Sequence, residues 1–296
     1  MYKILSIGNF YNPSWDGSIP DEENIAKALE TLGHTVIRQQ RETGWTEAMP
    51  AVDFVLLAQW SGYPDYMAFK EASIPVVYWA FDYQADGQEW HERLVKQSDL
   101  YLSKRIADVK YPNWQWMCDF APDFLHAHEN KDKDIDVLFT GSYLPWATER
   151  IETLRAVDKF FDLTIHSVTP DQWKEQGFKN VYGPVMDEAL PELISRAKIN
   201  LAIDHTLARG YWSDRAAQII ACGGFCLQRY VPLMESYFHH NVMYFHNTEQ
   251  CLEQIAWWLD HDEDREVVQR EAYANSAYYK CKERVADMLE IVSSIL

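Results

Sequence analysis

Short apolar segments alternate along this chain with longer segments whose apolar residues recur every three or four positions. Apolar runs such as residues 53–58 and 75–81 are typical of parallel strands that are buried on both faces. The predicted strands span residues 3–7, 34–38, 53–58, 75–81, 100–103, 136–140, 162–165, 179–182, 199–203 and 225–228. Because segments of helical periodicity separate many of them, the pattern predicts an α/β fold built from doubly wound parallel sheets.

The predicted helices carry their apolar residues on one face. The first places Ile25, Ala28 and Leu29 together and stops at Gly33. Other helices are predicted over residues 150–161, within 213–222, and from Thr248 and Asp262 onward. The last segment forms a single apolar stripe of Val285, Met288, Leu289 and Val292. This stripe predicts a helix that packs against another element.

A polar and charged segment at residues 126–133 interrupts the βαβ pattern. It lacks any periodicity, as is typical of a linker between domains. We therefore predict one Rossmann-like domain over residues 1–128 and a second over residues 129–296. Two histidines in the segment raise the alternative of a metal site, but a solvated linker is favoured.

The acidic composition of the chain limits the kinds of partner that it can bind. The 296 residues include 27 Lys and Arg against 45 Asp and Glu, for a formal net charge of −18. Such a surface repels nucleic acid and anionic membranes unless a local basic patch overrides it. The densest basic patch, Lys104 and Arg105 with Lys110, is modest.

The five cysteines have no paired or zinc-ligand spacing, which favours a protein of the reducing cytoplasm. No run of about 18 apolar residues is present, so we expect no membrane span. The sequence leaves the oligomeric state open.

The stretch at residues 212–228 is the most informative of the chain. It reads as a short helix that begins after Ser213 and Asp214, ends at Gly223 and Gly224, and leads into a buried strand. Arg215 lies in the first helical turn, where the helix dipole disfavours a cation. An anion bound there would explain it, because free N–H groups and a guanidinium together clamp phosphate oxygens. The alternative is a surface ion pair with Asp214.

The same stretch resembles the nucleotide-sugar domain of group-1-like glycosyltransferases, in particular the CgeB-like branch. The similarity lies in a Ser-x-Arg motif followed by Ala-Cys-Gly-Gly and a hydrophobic strand. Residues 136–142, 190–201 and 245–265 extend it on both sides, so that it covers roughly residues 130–285. One position departs from the family pattern, because Gln218 stands where the family has a Glu that binds the donor ribose.

This resemblance implies the GT-B architecture, in which two doubly wound Rossmann-like domains face a central cleft. The last helix of such proteins crosses back to the N-terminal domain. Donor binding is implied for residues that follow the strands of the second domain and for the motif itself: Gly141, Ser142, Arg150, Arg209, Arg215, Gln218, Gly223 and Gly224. For Gly141 and Ser142 a plain strand-to-helix turn is the alternative.

Two residues are expected to act in catalysis, Asp82 toward the acceptor and His205 beside the phosphates. Capping of a turn is the alternative for Asp82, and a structural role is the alternative for His205. The loop after the first strand supplies expected acceptor-side residues, with ordinary turn use as the alternative: Gly8, Trp15, Asp16 and Gly17.

The sequence thus predicts a cytoplasmic glycosyltransferase that uses a nucleotide-diphosphate sugar, without a cofactor or metal and with retention at the sugar carbon. The acceptor is a glycan, a small molecule, a protein or a modified nucleic-acid base. A nucleotide-sugar epimerase or phosphorylase on the same fold is one alternative. A non-catalytic carbohydrate-binding protein is the other, and Gln218 is the residue that favours it.

Overall fold

The structure is a computed structural model, which describes residues 1–11, 19–41, 51–58, 67–82, 89–128 and 132–295. The chain forms two compact units, the first of residues 1–123 with 280–296 and the second of residues 124–279. The division after Asp123 lies slightly before the boundary expected after residue 128. Residues 280–296 were predicted within the second domain but belong to the first unit, in agreement with the predicted helix that crosses back.

The first unit is built on a six-stranded parallel sheet of order β2-β1-β3-β4-β5-β6. Its strands are β1 (Lys3–Gly8), β2 (Thr35–Gln40), β3 (Phe54–Ala58), β4 (Val76–Ala80), β5 (Leu100–Ser103) and β6 (Trp114–Trp116). β3 and β4 are buried at every position, which is why their sequences are apolar throughout.

Helices cover both faces of this sheet. They are α1 (Asp21–Thr31), α2 (Met67–Glu71), α3 (Glu89–Gln97) and α11 (Cys281–Val292). On one face, Ile25 and Leu29 of α1 share a core with Val285, Met288 and Val292 of α11. The predicted stripe of the last helix is therefore confirmed, since it is buried against α1 and the sheet. Leu94 and Val95 of α3 pack on the other face.

The second unit repeats the architecture with a parallel sheet of order β12-β11-β10-β7-β8-β9. Its strands are β7 (Ile135–Thr140), β8 (Leu163–His166), β9 (Asn180–Tyr182), β10 (Ala197–Ala202), β11 (Cys226–Arg229) and β12 (Met243–Phe245). Its helices are α4 (Thr148–Phe160), α5 (Pro170–Glu175), α6 (Leu190–Arg196), α7 (Arg215–Ala221), α8 (Met234–Phe238), α9 (Thr248–Asp260) and α10 (Asp262–Ala274).

The ten predicted strands are all present, and the prediction of α/β units with parallel sheets is confirmed. The strands missed in the sequence, β6 and β12, are edge strands of only three residues each. Two predicted caps differ. α7 follows Asp214, which makes no side-chain cap bond, and α9 is capped by Asn247, whose side chain accepts from the Gln250 N–H.

The five cysteines are all buried free thiols. Within the described ranges, no helix combines the length and the apolar character that crossing a bilayer requires.

Candidate functional site

The second sheet changes direction between β7 and β10. β8 and β9 follow on one side of β7, whereas β10, β11 and β12 lie on the other. In doubly wound sheets, ligands bind outside the carboxyl ends of the strands at such a switch point. The chain segments that leave β7 and β10 here begin at Gly141 and Ile203.

Arg215 spans this switch point. Its Nε donates a hydrogen bond to the carbonyl oxygen of Thr140 at 2.7 Å, and its Nη1 donates to the carbonyl oxygen of Ile203 at 3.3 Å and to Ser213 Oγ at 3.1 Å. The guanidinium also lies over the ring of Phe139, 5.2 Å from its centroid. The first turn of α7 therefore carries a cation to the carboxyl ends of both strands.

Arg150 brings a second guanidinium to the same ring. It lies 5.8 Å from the centroid of Phe139, and its Nη2 donates to the carbonyl oxygen of Ser142 at 3.1 Å. The side chain is buried, and its Nε has no hydrogen-bond partner among the described residues. Burial, together with the positive charge of Arg215, lowers the pKa of Arg150 to about 10.

The two guanidiniums face a single carboxylate. Asp204 Oδ1 lies 3.9 Å from Arg215 Nη1, while its two oxygens accept from the Ser213 N–H and the Gln228 side chain. Within the described part of the chain, no carboxylate lies in ion-pair distance of Arg150. The site therefore holds an excess of positive charge at low solvent exposure, an arrangement that an anion would stabilise.

Gly141 has a different role from the one the sequence suggested. The sequence suggested a contact with the donor, but the Gly141 N–H donates to the carbonyl oxygen of His166 at 3.0 Å and is thus already engaged within the chain. A Cβ at this position would lie 2.9 Å from Arg215 Nη2. An alanine here would therefore push the guanidinium aside.

The structure places the remaining residues of the motif farther along α7. Gln218 Nε2 donates to the Asp214 carboxylate one turn earlier. Gly223 and Gly224 follow the opposite end of the helix from Arg215, about 12 Å or more away by the rise per residue. Gly223 has a φ of +71° and terminates α7, and both glycines are buried. The structure does not bring them together with the guanidiniums.

His205 and Arg209 lie in the loop after β10. The half-buried His205 ring packs edge-on against Tyr211, with ring centroids 5.4 Å apart. Arg209 is exposed, and it forms no hydrogen bond or ion pair with another residue of the described ranges.

An aromatic pair that sequence analysis missed follows the same sheet edge. His166 and Tyr182 are register partners at the ends of β8 and β9, and their rings stack at 5.2 Å with an interplanar angle of 24°. His166 Nδ1 donates to the Gly183 carbonyl, and burial lowers the pKa of His166, which favours the neutral ring with Nε2 as an acceptor. Tyr182 remains 52% exposed.

In the first unit, Asp82 is exposed just beyond β4. Gly8 ends β1, and the space beside it is filled by the side chain of Glu22, whose Cγ a Cβ on Gly8 would overlap. The predicted acceptor-side residues Trp15, Asp16 and Gly17 lie outside the described residues. Across the described ranges, no group of three or more His, Cys, Asp or Glu side chains is arranged to hold a metal ion.

The family described as glycosyl transferase-like matches the chain over residues 124–290, more than half of its length. The chain belongs to this family. The matched region of this glycosyl transferase-like protein includes Arg150, Asp204 and Arg215. Comparison with curated proteins finds no match.

Solved glycosyltransferases share the fold of this family member. Sucrose-phosphate synthase from Thermosynechococcus elongatus matches with a TM-score of 0.71 at 9% identity, over 100% of this chain and 99% of that one. HepE of Anabaena, solved with UDP-glucose, matches with a TM-score of 0.68 at 13% identity, over 99% of this chain and 100% of HepE. The DNA modifying enzyme β-glucosyltransferase, studied with and without uridine diphosphoglucose, matches with a TM-score of 0.60 at 13% identity, over 96% of this chain and 99% of that one. The GT-B fold predicted from the sequence is confirmed.

Proposed function

We propose that the protein transfers a sugar from a nucleotide-diphosphate donor to an acceptor hydroxyl. The observation that carries this proposal is the pair of guanidiniums of Arg150 and Arg215 on one ring, Phe139, at the switch point of the second sheet. A diphosphate placed against them would satisfy the excess positive charge. Ser142 follows β7 at the same point and is the proposed backbone donor to a phosphate oxygen.

These cations also suit the chemistry of the step. When the bond between the sugar and the diphosphate breaks, negative charge develops on the leaving phosphate oxygen, and fixed cations in a low-dielectric site stabilise it. His205 and Arg209 are the proposed neighbours of the phosphates. Because the guanidiniums supply positive charge, we expect transfer to continue in the presence of a metal chelator.

The nucleoside is proposed to extend from the phosphates toward β9. The half-exposed ring of Tyr182 is two strands away from β7, or about 10 Å. A nucleoside is long enough to span this distance. Its base would stack on the ring of Tyr182, and His166 Nε2 would accept a hydrogen bond from the nucleoside. Gln218 is the proposed ribose ligand, provided that its amide leaves Asp214. UDP-glucose is the first donor to test, since HepE was solved with it.

On the acceptor side, we propose that Asp82 hydrogen-bonds the attacking hydroxyl. The similarity to group-1 enzymes, and to their CgeB-like branch, favours retention at the sugar carbon. The acceptor is a glycan, a small molecule or a protein in preference to a nucleic-acid base, because the net charge of −18 opposes a polyanion. The cytoplasm remains the expected location.

Calorimetric titration with UDP and UDP-glucose in EDTA tests the donor site. Arg215→Ala should weaken UDP binding or turnover by about 2–4 kcal/mol, the range for removing a partner of developing charge. Arg196→Ala is the matched control. Arg196 pairs with Asp134 on the surface just before β10, so the substitution removes the same charge at the opposite edge of the sheet. Equal affinities in all three proteins would refute the assignment.

A second candidate is a nucleotide-binding protein without transfer activity. The engagement of Gln218 with Asp214 favours it, because this amide is then unavailable to a ribose. Release of UDP from UDP-glucose by the wild-type protein would exclude this candidate. Binding without release, together with release by Gln218→Glu, would support it.

A further inference from the structure

The first unit has a switch point of its own, between β1 and β3. β2 lies on one side of β1, and β3 with the later strands lies on the other. The turn after β1 and the first turn of α1 meet here. In doubly wound folds this position commonly holds a phosphate, bound by the N–H groups at the start of the helix.

In this protein a carboxylate of the chain occupies that position. Glu22 is the second residue of α1, and its Oε1 accepts a hydrogen bond from the N–H of Asn9 at 3.0 Å. Its own backbone N–H also stabilises the carboxylate. Only a glycine at position 8 leaves room for the Glu22 side chain, so that turn and carboxylate fit each other.

Burying a carboxylate at this position is unfavourable, so an apolar residue would serve better if the side chain only had to fill the space. Glu22 is 2% exposed, and burial raises the pKa of its carboxyl group, with a further rise from the charge of Asp82. The positive charge of Arg41 only partly offsets this. Among the described residues, two acidic groups thus lie beside the ends of β1 and β4. An additional anion beside the Asn9 N–H would be repelled by the Glu22 carboxylate.

We propose that Glu22 is a specificity-determining residue that excludes phosphate from the first unit. The acceptor is therefore a hydroxyl compound with no phosphate near its reacting end, such as an unphosphorylated sugar. The carboxylate takes the N–H groups that would otherwise bind a phosphate, and its charge repels one. This inference rests on the proposed transfer to a hydroxyl and narrows its acceptor class.

The test uses the full chain saturated with UDP, so that the guanidiniums of the second unit are occupied. Inorganic phosphate and glucose 6-phosphate are titrated, with binding followed by calorimetry and by Tm. Glu22→Ala opens both the space and the N–H groups, whereas Glu22→Gln removes only the charge and keeps the shape. Glu23→Gln is the matched control, because Glu23 lies next along α1 and pairs with Arg38 at the surface.

We expect phosphate to bind Glu22→Ala at least about tenfold more tightly than the wild type, with a smaller gain in Glu22→Gln and none in the control. Phosphate binding by the wild type that equals that of both variants would overturn the proposal, as would no gain in either variant. Failure of the wild type to bind UDP would instead refute the proposed donor site. In that case the same comparison without UDP still isolates position 22, because the variants differ only in the first unit.

Discussion

Arg215 Nε donates a hydrogen bond to the Thr140 carbonyl at 2.7 Å, which fixes the first turn of α7 to the end of β7. Arg215 therefore has a defined position before any ligand binds. A preorganised cation avoids the reorganisation that a flexible surface arginine would need when charge develops on the leaving group. Its position also depends on the space that Gly141 leaves for it.

Gly141→Ala should weaken nucleotide binding by displacing this guanidinium. The new Cβ would lie 2.9 Å from Arg215 Nη2, so the side chain must shift. We expect UDP affinity to fall about ten- to a hundredfold, the scale for misplacing a binding group by about 1 Å. Calorimetry with UDP measures it. The double variant Gly141→Ala/Arg215→Ala should bind no more weakly than Arg215→Ala alone, and full additivity would contradict the mechanism.

Arg150→Met should separate binding from stability. The arginine is buried, has no carboxylate partner in the described ranges and leaves Nε unpaired, so an apolar chain of similar volume should keep or raise the Tm. UDP binding should weaken by about 1.5–3 kcal/mol, the value of a hydrogen bond to a charged group. Arg155→Met, on the exposed side of the same helix, is the control. A large drop in Tm with unchanged UDP affinity would make Arg150 a structural residue.

The sheets were predictable from the sequence, because a buried parallel strand needs an apolar run and leaves a visible pattern. The strands β6 and β12 were not, since three residues are too few to form such a pattern. Arg215 was also predictable, because a cation in a first helical turn conflicts with the helix dipole. The space that Gly141 gives it was not, since it depends on where a side chain 74 positions later comes to lie.

Other site features depend on helix phase and strand register. Asp21, Glu22 and Glu23 form a continuous acidic first turn, and only the phase of α1 decides which one is buried. The pairing of His166 with Tyr182 depends on the register of β8 and β9. A signal was nonetheless present for this pair, because His166 directly follows the predicted strand 162–165, Tyr182 closes the predicted strand 179–182, and parallel strands end at the same edge.

His91 should make the first unit sensitive to acid. It is buried and hydrogen-bonds with both Tyr78 and Tyr101, and burial lowers its pKa below 6.5. The folded state therefore binds the proton less readily than the unfolded state. Its contribution to stability is complete above pH 6.5 and is lost as the pH falls toward the folded-state pKa.

Urea unfolding at several pH values between 8 and 5 measures this effect. The free energy of unfolding should fall with pH below about 6.5, and His91→Gln should reduce that slope. Measurement at pH 8 is the internal reference, since both proteins are then uncharged at position 91. An unchanged slope in the variant would assign the acid sensitivity to other groups.

Tyr182→Ala should affect the nucleoside and leave the phosphates unaffected. If a base stacks on this half-exposed ring, its removal should weaken UDP binding by about 1–3 kcal/mol, the range for one base on one aromatic side chain. Binding of inorganic pyrophosphate should be unchanged, because the guanidiniums of Arg150 and Arg215 remain in place. Tyr278→Ala removes a similarly exposed tyrosine from the same unit and serves as the control. Equal loss of UDP and pyrophosphate binding in Tyr182→Ala would indicate a disturbed sheet edge, whereas no loss of either would place the base elsewhere.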